Sequence, residues 1–295
     1  MNPKGKFLVI LNPAARGERA RQLCDQIQLL SPRAEIRLTT SPGDACKIAG
    51  EAATQGWDAI VAAGGDGTVN EVVNGMAGSN TPMGILPVGT MNVFASELGI
   101  PQNNLPAAWT VIEDGLIREV DIPTANGSFF VQLAGAGLDA EVVRQTPADA
   151  KKSLGPVSYV LTLAQVAAAP PPRITVHPAG SPPREGNFVL VGNGRLYGGP
   201  FVLFKDALLD DGLLDVLIFK NQTHWDIVRY LHAIVFGAHP ELHDVEYFQA
   251  PSLTLHGPDG TPVELDGELH GTLPCTFSFS PNRLRVFAAA GCHSA

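Results

Sequence analysis

The sequence is poor in cysteine and in positive charge. Its 295 residues include 4 cysteines, and no two of them have the C-x-x-C spacing of a zinc site or a redox motif. We therefore expect reduced thiols, as in a cytosolic protein, and no disulfide framework. Lys and Arg number 20 against 29 Asp and Glu, which gives a net charge of −9 at pH 7. Without a basic stripe to offset this charge, no nucleic acid is expected as a partner.

The sequence also has no long uninterrupted apolar run. Its most apolar helical stretch, about residues 154–169, is interrupted by Ser158, Tyr159 and Gln165 and falls short of a membrane span. Residues 1–6 lead directly into a short strand, without the apolar core of a secretory signal. We therefore expect a cytoplasmic protein without a transmembrane segment. The net charge disfavours electrostatic docking on anionic lipid, but it does not exclude apolar insertion into a membrane surface.

Two familiar nucleotide motifs are absent or misplaced. No G-x-x-x-x-G-K-[ST] sequence occurs, which excludes an ordinary P-loop. Gly135-Ala136-Gly137-Leu138-Asp139-Ala140 imitates a dinucleotide fingerprint, yet it lies after the alternating strands and helices rather than in their first turn. No acidic strand end follows about twenty residues later to bind a ribose. We interpret this segment as a packing turn.

The pattern of apolar segments changes near residue 121. Residues 1–121 alternate short apolar strands with helices, which predicts an α/β domain with a doubly wound parallel sheet. In residues 122–295 strand-like runs dominate, with helices near 154–169 and 223–236. These runs predict a second, mainly antiparallel β-sandwich domain. A chain of 295 residues is long enough for two domains with separate cores.

The first domain is organised around a glycine loop, Gly64-Gly65-Asp66-Gly67-Thr68, which follows an apolar strand and precedes a helical pattern. A strand that enters a helix through glycines leaves backbone N–H groups free at the helix start, and these bind phosphate. Glycine lets the phosphate approach closely because it has no Cβ. Asp66 could hold a divalent cation or a water molecule beside the phosphate. A tight turn with a capping Asp is the alternative that this loop alone leaves open.

Other polar residues follow the predicted strands of the same sheet. Asn12, Thr40 and the segment Thr90–Asn92 each lie at the carboxyl end of a strand, as the glycine loop does. Ligands of open α/β sheets bind beyond the carboxyl ends of the strands. The shared position favours a phosphate site over a simple turn.

The second domain contains an acidic turn, Asp266-Gly267-Glu268, directly after a predicted strand. The glycine lets the chain reverse, so both carboxylates can point into a cleft. One of them could act as general base on a hydroxyl group while the other lies near a metal–nucleotide complex. Asp-Gly is also a common hairpin turn, and the motif alone leaves that alternative open.

Four motifs occur in order along the chain: Asn12-Pro13-x-x-x-Gly17, Gly64-Gly65-Asp66-Gly67-Thr68-x-Asn70-Glu71-x-x-Asn74-Gly75, Pro87-x-Gly89-Thr90-x-Asn92 and Asp266-Gly267-Glu268. Together they resemble the diacylglycerol kinase/sphingosine kinase catalytic family, particularly its bacterial lipid kinases, over nearly the whole chain. The resemblance implies an ATP-binding first domain, a β-rich second domain and a lipid hydroxyl acceptor in the cleft between them.

The resemblance also implies roles for individual residues. Asp266 is expected to be the general base, Glu268 to help hold the nucleotide and its Mg²⁺, and Asp66 to act beside the phosphates. The other expected nucleotide contacts come from the loops at the strand ends: Asn12, Thr40, Gly64, Gly65, Gly67, Thr68, Asn70, Glu71, Thr90 and Asn92.

The chain departs from the family pattern at two positions. Leu209–Asp215 resembles a segment that holds a structural Mg²⁺ in bacterial members, with Asp211 and the Leu213 carbonyl as the matching ligands. Leu208 stands where some members have another acidic ligand, and an acidic turn before a strand explains the segment equally well. Val93 stands where many members have Asp, which could change metal binding or acceptor preference.

Three functions remain open from the sequence. The first is an ATP- and Mg²⁺-dependent kinase that acts on a lipid hydroxyl at the membrane surface, with peripheral attachment and a homodimer both allowed. The second is a kinase for a soluble acceptor, because NAD kinases and 6-phosphofructokinases share the Gly-Gly-Asp-Gly loop. The third is a nucleotide-binding regulator without catalysis. The acceptor lipid itself, whether diacylglycerol, phosphatidylglycerol, a sphingoid base or an isoprenoid-like alcohol, depends on the shape of the cleft.

Overall fold

The first sheet is built on short strands that are buried along their whole length. The structure is a computed structural model, and it describes residues 5–13, 20–146, 162–163 and 165–291. Three apolar strands pair in parallel: β1 (Phe7–Leu11), β3 (Ala59–Gly64) and β4 (Met83–Pro87). Complete burial is typical of parallel strands covered by helices on both faces. The edge strand β2 (Glu35–Leu38) is partly exposed and pairs in parallel with β1.

Five helices accompany this sheet: α1 (Ala20–Leu30), α2 (Asp44–Ala52), α3 (Asp66–Met76), α4 (Val93–Glu97) and α5 (Leu105–Asp114). α2 and α3 contact each other closely: a Cβ on Gly75 would lie only 2.2 Å from the carbonyl oxygen of Cys46. α5 begins at an Asn104 cap, whose side-chain oxygen accepts from the amide of Ala107 at 3.1 Å. The predicted α/β domain with a parallel sheet is confirmed.

One strand of this sheet comes from the far end of the chain. The order is β2-β1-β3-β4-β20-β5, in which β20 (Leu284–Phe287) runs parallel to β4 and antiparallel to β5 (Ile117–Val120). The chain therefore returns to the first sheet after completing the second domain, a crossing that the predicted division into residues 1–121 and 122–295 did not include. A four-residue apolar strand has the same pattern in either sheet, so its sequence could not show which one it joins.

The second domain is antiparallel throughout its two six-stranded sheets, as predicted. One sheet has the order β10-β9-β16-β19-β6-β7 and the other β15-β14-β11-β8-β17-β18, with a separate two-stranded ribbon of β12 and β13. The strands are β6 (Pro123–Ala125), β7 (Ser128–Phe129), β8 (Leu133–Ala136), β9 (Ile174–Pro178), β10 (Arg184–Gly186), β11 (Phe188–Gly192), β12 (Leu196–Tyr197), β13 (Phe201–Val202), β14 (Leu214–Phe219), β15 (Val245–Ala250), β16 (Leu253–His256), β17 (Pro262–Leu265), β18 (Glu268–Thr272) and β19 (Cys275–Phe279).

Two hydrophobic clusters hold the second domain together. The first lies between the sheets, where Val176 and Phe277 of one sheet share a core with Val216 of the other. The second covers the outer face of the β8-containing sheet and includes α6 (Leu138–Gln145) and α7 (His224–Val235). The domain is thus a sandwich with helices on one outer face.

The helix predicted near 223–236 is confirmed as α7. Thr223 caps it: the Thr223 hydroxyl accepts from the amide of Asp226 at 3.2 Å, and the Asp226 carboxylate accepts from the amide of Thr223 at 3.0 Å. Most of the helix predicted near 154–169 lies outside the described residues, as does Gly17 of the first motif. Within the described part of the chain, no helix is long and apolar enough to span a membrane.

Candidate active site

The glycine loop joins β3 to α3 at the carboxyl edge of the first sheet. Gly65 is extended, and the helix begins at Asp66, so the first N–H groups of α3 have no partner within the helix. Behind this loop, the loop after β4 is in backbone contact with it: a Cβ on Gly89 would lie 2.3 Å from the Cα of Gly65. A Cβ on Gly64 would lie equally close to the Thr68 hydroxyl. Glycine is therefore required at these crossings, and the loop presents bare backbone of the kind that binds phosphate.

Two polar side chains at neighbouring strand ends hold the loops in place. Asn12 follows β1 and donates its side-chain amide to the hydroxyl of Thr68 at 3.1 Å. Asn92 has a left-handed backbone (φ 49°), and its side chain both accepts from the amide of Gly89 and donates to its carbonyl, each at 3.1 Å. Both residues lie at the predicted site, where they shape the loops. Thr90, two positions before Asn92, is exposed and lines the cleft.

Thr40 and Glu71 both form hydrogen bonds with groups at the start of α2. The amide and hydroxyl of Thr40 donate to the carboxylate of Asp44, and these hydrogen bonds lower the pKa of Asp44 to about 2. The two carboxylate oxygens of Glu71 accept from the amides of Gly43 and Ala45 at 2.9 and 3.0 Å. Glu71 therefore caps the first turn of α2, and its contact with a nucleotide stays a prediction.

Asp66 faces the start of the neighbouring helix α4. Its carboxylate accepts from the amide of Phe94 at 3.4 Å. Burial raises the pKa of Asp66, the hydrogen bond from Phe94 opposes this shift, and the negative charge of Asp266 adds to it. Asp66 and Asp266, acidic groups of different domains, line the same cleft. Val93, at the first position of α4, lines the same cleft with an apolar side chain.

The acidic turn is a two-residue hairpin between β17 and β18. Asp266 and Gly267 both have positive φ, 49° and 84°, as a type I′ Asp-Gly turn requires. The hairpin alternative is thus correct for the backbone, but it does not displace the functional one, since all three residues of the turn line the cleft. The motif alone cannot show that the turn lies in the cleft, because that position depends on the tertiary structure.

The carboxylate of Asp266 binds residues of both domains. One oxygen accepts from the side-chain amide of Asn70 in α3 at 2.8 Å and from the backbone amide of Val131 at 2.9 Å. The other accepts from the amides of Gln132 and Leu133 at 2.9 and 3.1 Å. Four donors fill the four lone-pair directions of a carboxylate. Burial raises the pKa of Asp266, while these hydrogen bonds act in the opposite direction.

Glu268 reaches across the cleft from the other side of the turn. Its side chain is exposed, and one carboxylate oxygen lies 2.6 Å from the position that a Cβ on Gly67 would occupy. The carboxylate therefore lies over the first turn of α3, where the helix dipole favours negative charge. Only glycine at position 67 leaves room for this approach.

A cleft of about 510 Å³ connects these groups. Its acidic lining residues include Asp66, Asp266 and Glu268, and Asp139 and Glu264 of the second domain line it as well. Four aliphatic residues of the second domain form what we call its apolar wall: Val131, Leu133, Val143 and Leu196. A cleft lined by both acidic and aliphatic side chains suits a ligand with a polar and an apolar part.

Comparison with known proteins identifies the architecture. Residues 6–125 match the family described as the diacylglycerol kinase catalytic domain, and residues 132–288 match the YegS C-terminal NAD kinase beta sandwich-like domain. The chain is also 32% identical over 277 residues to the diacylglycerol kinase of Bacillus subtilis strain 168, which covers 91% of both chains. The chain belongs to the diacylglycerol kinase family. Membership makes it a kinase whose acceptor is an alcohol group.

Other members of the diacylglycerol kinase family agree in length and fold. A protein of Pseudomonas aeruginosa strain UCBPP-PA14 named "Probable lipid kinase YegS-like" is 35% identical over 300 aligned positions, which cover 98% of this chain and 96% of the relative. The crystal structure of a diacylglycerol kinase from Bacillus anthracis strain Sterne superposes with a TM-score of 0.81 and 27% identity, over 98% of this chain and 99% of that one.

The sequence did not reveal a set of hydrogen bonds that connects the two domains beside the cleft, which we call the polar bridge. Glu97, in α4, accepts from the backbone amides of Arg195 and Leu196 at 2.9 Å each, and from the side-chain amide of Gln132 at 3.1 Å. Asn74 of α3 donates to the carbonyl of Phe129 and accepts from its amide, each at 3.1 Å. The bridge ties two helices of the first domain to the entrance of the second. Asn74 was visible in the motif, whereas Glu97 and Gln132 carried no signal.

A buried pair of acids behind the acidic turn was also missed. Glu264 is fully buried and accepts from the amide of Gly267 at 2.7 Å. One carboxyl oxygen of Asp139 and one of Glu264 lie 2.8 and 2.9 Å from the position that a Cβ on Gly135 would occupy, so the two groups are neighbours. Asp139 also accepts from the hydroxyl of Tyr197. Burial raises the pKa of both groups, and the proximity of Asp139 adds to the shift of Glu264. The segment interpreted as a packing turn thus supplies Asp139 to the cleft.

In the segment expected to hold a structural metal ion, the acidic side chains make contacts with neighbouring protein groups. The Asp211 carboxylate accepts from the amide of Leu213 at 2.9 Å, Asp210 pairs with Arg118, and Asp121 pairs with Arg283. Among the described residues, no three His, Cys, Asp or Glu side chains are grouped closely enough to hold a metal ion. The residues present therefore do not fit a metal cage made by protein side chains alone. A Mg²⁺ ion in the cleft would need nucleotide phosphates among its ligands, which is its usual mode of binding.

Proposed function

We propose that this enzyme transfers the γ-phosphate of ATP, bound with Mg²⁺, to the hydroxyl group of a lipid. The observation that carries the proposal is the position of Asp266, which is hydrogen-bonded to Asn70 of α3 and lies beside the glycine loop. A proton acceptor from one domain thereby faces the phosphate-binding backbone of the other. Phosphoryl transfer needs chiefly this kind of positioning, together with neutralisation of charge.

The nucleotide would bind with its phosphates over the first turn of α3. Gly65, Gly67 and Thr68 would supply backbone amides, and Asn12 would keep the Thr68 hydroxyl in place. Thr90 would contact the nucleotide from the neighbouring loop. When bound, Mg²⁺ would neutralise charge on the phosphates, and Asp66 and Glu268 are the side chains placed to hold it.

The acceptor hydroxyl would approach from the apolar wall of the cleft. Its oxygen forms the new bond to the γ-phosphorus as the bond to the bridging oxygen of ADP breaks, and its proton passes to Asp266. Because four donors occupy that carboxylate, the hydroxyl must replace one of them. The side-chain amide of Asn70 is the donor best able to move, since the other three belong to the backbone. The raised pKa of Asp266 favours its role as a proton acceptor.

A lipid acceptor is favoured over a soluble one by the wall of the cleft. Val131, Leu133, Val143 and Leu196 give an acyl chain an apolar surface that a sugar phosphate or NAD would not use. A bilayer acceptor would also place this protein at the cytoplasmic membrane surface as a peripheral enzyme.

The proposal is tested with purified protein, γ-labelled ATP and Mg²⁺. The acceptor panel contains diacylglycerol, phosphatidylglycerol, a sphingoid base and an isoprenoid alcohol in mixed micelles, beside NAD and sugar phosphates. We expect label in a lipid product. Label confined to a water-soluble product would overturn the lipid assignment in favour of a soluble-acceptor kinase. Bound ATP with no transfer to any acceptor would favour a nucleotide-binding regulator.

A further inference from the structure

The outer surface of α7 is apolar. Its exposed residues recur at intervals of three and four positions, so they form one stripe along the helix and its last turn. The members of this apolar stripe are Trp225, Val228, Leu231, Val235 and Phe236. Trp225 is 82% exposed and Phe236 71%. A contiguous apolar patch of this kind on a surface marks an interaction site.

The stripe is unusual because the opposite face of the helix is apolar as well. Ile227, Tyr230 and Ala233 are buried in the second domain, so the exposed residues are not needed for the core. A surface helix ordinarily turns its apolar face inward and a polar face outward. The outward face of α7 therefore serves something other than folding.

Asp226 and Arg229 of α7 bind polar partners, whereas His224 and His232 are exposed and the His232 ring lies 4.7 Å from the Phe236 ring of the stripe. Asp226 binds Thr223 at the start of the helix and Arg229 one turn later, and Arg229 binds Asp244. The hydroxyl of Tyr230 also donates to Asp244, at 2.6 Å. These contacts fix the rotation of the helix about its axis. As a result the apolar stripe stays turned outward.

The helix that carries the stripe packs next to a residue that lines the cleft. α7 packs against β13, and β13 pairs with β12, where Phe201 lies opposite Tyr197. Tyr197 lines the cleft, while Phe201 is exposed beside the helix. Tyr197 and the inner face of α7 also share one hydrophobic cluster. The helix and the cleft wall are therefore parts of one packed unit.

We propose that the apolar stripe docks this enzyme on a phospholipid bilayer, with Trp225 and Phe236 inserted at the level of the headgroups. The choice of a bilayer rests on the proposed function, since a lipid acceptor must leave a membrane to enter the cleft. Tryptophan is enriched at membrane interfaces, and an exposed apolar helix face binds there by burying its area. With a net charge of −9, attachment depends on insertion rather than on attraction to anionic lipid.

The dimensions of the stripe favour a bilayer over a protein partner. From Trp225 to Phe236 it is about 16 Å long at 1.5 Å per residue, and it is one helix, about 10 Å, in width. At roughly 150–250 Å² per aromatic side chain, Trp225 and Phe236 offer on the order of 300 Å² of accessible surface for insertion. Even with the partly exposed Val228, Leu231 and Val235, the stripe falls short of the roughly 800 Å² that each partner contributes to a standard protein interface.

Tryptophan fluorescence provides a direct test, in the absence of ATP. All three tryptophans of the chain lie in its described part; Trp57 and Trp109 are buried, so Trp225 reports on the stripe. We expect vesicles of pure phosphatidylcholine to shift the emission to the blue, and the shift to persist in 0.5 M salt. Trp225→Phe should keep vesicle binding and lose the shift. An unchanged emission maximum in the wild-type protein would overturn the proposal.

Vesicle co-sedimentation measures the affinity itself. The double variant Trp225→Ser/Phe236→Ser should bind at least tenfold more weakly, with an unchanged circular dichroism spectrum and melting temperature. Leu29→Ser is the matched control, because Leu29 is also 82% exposed but lies on α1 in the other domain. Equal losses in the two proteins would overturn the proposal. So would a blue shift that grows with protein concentration without vesicles, since a second copy would then cover the stripe.

The kinase assay separates failure of this inference from failure of the proposed function. The double variant should retain transfer to a short-chain acceptor dispersed as monomers and lose it, at least tenfold, with the same acceptor in vesicles. Equal transfer by variant and wild type from vesicles would overturn docking through α7. Vesicle binding through the stripe without transfer to any lipid would instead leave docking intact and refute the lipid kinase.

Discussion

The side-chain amide of Asn70 donates a hydrogen bond to the carboxylate of Asp266 at 2.8 Å, although the two residues are 196 positions apart. Asn70 belongs to the helix that follows the glycine loop, and Asp266 to a hairpin of the second domain. The bond therefore crosses the cleft. It couples the phosphate-binding backbone to the proposed proton acceptor. Substitutions of Asp266 and of Asn70 test this coupling.

Replacing Asp266 by Asn should reduce transfer by about 10²–10⁴-fold, the usual contribution of a general base. ATP binding should be largely retained, because the glycine loop is unchanged. The melting temperature should fall as well, since an Asn side chain must turn its NH₂ group towards two of the four donors that now surround the carboxylate. Turnover, nucleotide affinity and thermal unfolding measure these three effects separately.

Asn70→Ser is the matched variant for that experiment. It removes one donor of the four and leaves the carboxylate in place. The Asn70 side chain also donates to the Phe129 carbonyl and accepts from the Asn74 side chain, so the stability loss should be that of up to three hydrogen bonds, at about 0.5–1.5 kcal/mol each. Transfer should fall less than in Asp266→Asn. Normal turnover by the Asp266→Asn protein would refute its assignment as the base.

Replacing Gly67 by Ala should weaken transfer while preserving the fold. The new Cβ would lie 2.6 Å from a carboxylate oxygen of Glu268, a flexible side chain that can move away. Displacing this group from the phosphates should lower turnover by about 10²-fold, as the loss of one preorganised polar group does. Stability should stay the same or rise by up to about 1 kcal/mol, since alanine is favoured over glycine within a helix.

Gly89→Ala provides the contrast with Gly67→Ala. Its Cβ would meet the backbone of Gly65 at 2.3 Å, and backbone cannot yield as a side chain does. This variant should therefore lose ATP binding itself, measured by calorimetry. Full ATP affinity in Gly89→Ala would show that the contact between the two loops does not shape the nucleotide site.

The buried acid pair should make stability depend on pH. Burial and the proximity of Asp139 raise the pKa of Glu264, so folding favours the protonated pair. Its contribution is present at low pH, below the ordinary pKa of a carboxyl group, and is lost as pH rises towards the raised value. Glu264→Gln can still accept from the amide of Gly267 but has no carboxyl group to ionise. Between pH 5 and pH 8 its melting temperature should therefore improve relative to wild type.

Asp139→Asn removes the other carboxyl group of the pair. Its melting temperature should also improve relative to wild type between pH 5 and pH 8. Its amide can still accept from the Tyr197 hydroxyl. If the melting temperatures of both variants and the wild type change with pH in the same way across this range, the raised pKa of the pair is contradicted.

Removal of divalent metal ions should stop transfer without unfolding the enzyme. A Mg²⁺ ion bound mainly through nucleotide phosphates is lost with the nucleotide, and within the described residues no side-chain cluster offers a permanent cage. In EDTA, turnover should fall to background while the melting temperature of the ATP-free protein stays constant. A drop in that melting temperature would instead support a structural ion at Asp211 and the Leu213 carbonyl, and Asp211→Asn should then abolish the drop.

Local sequence was sufficient for much of the fold and for the centre of the site. β1 and β3 are unbroken apolar runs, which parallel strands buried on both faces must have. The glycine loop is recognisable because a close crossing of two backbones admits no Cβ. The Asp266-Gly267 pair has a turn chemistry that permits positive φ at both positions. Each of these properties depends on a residue and its immediate neighbours.

The sequence by itself thus determined which segments are strands, helices and turns, and where bare backbone could meet a phosphate. Only the tertiary structure decided that β20 completes the first sheet, that Glu71 caps α2, that Asp139 meets Glu264, and that the apolar stripe of α7 remains uncovered. The physical reason is that hydrophobic periodicity shows only which face of its own helix or strand a side chain occupies. What lies against that side chain is set by residues that are distant in the sequence.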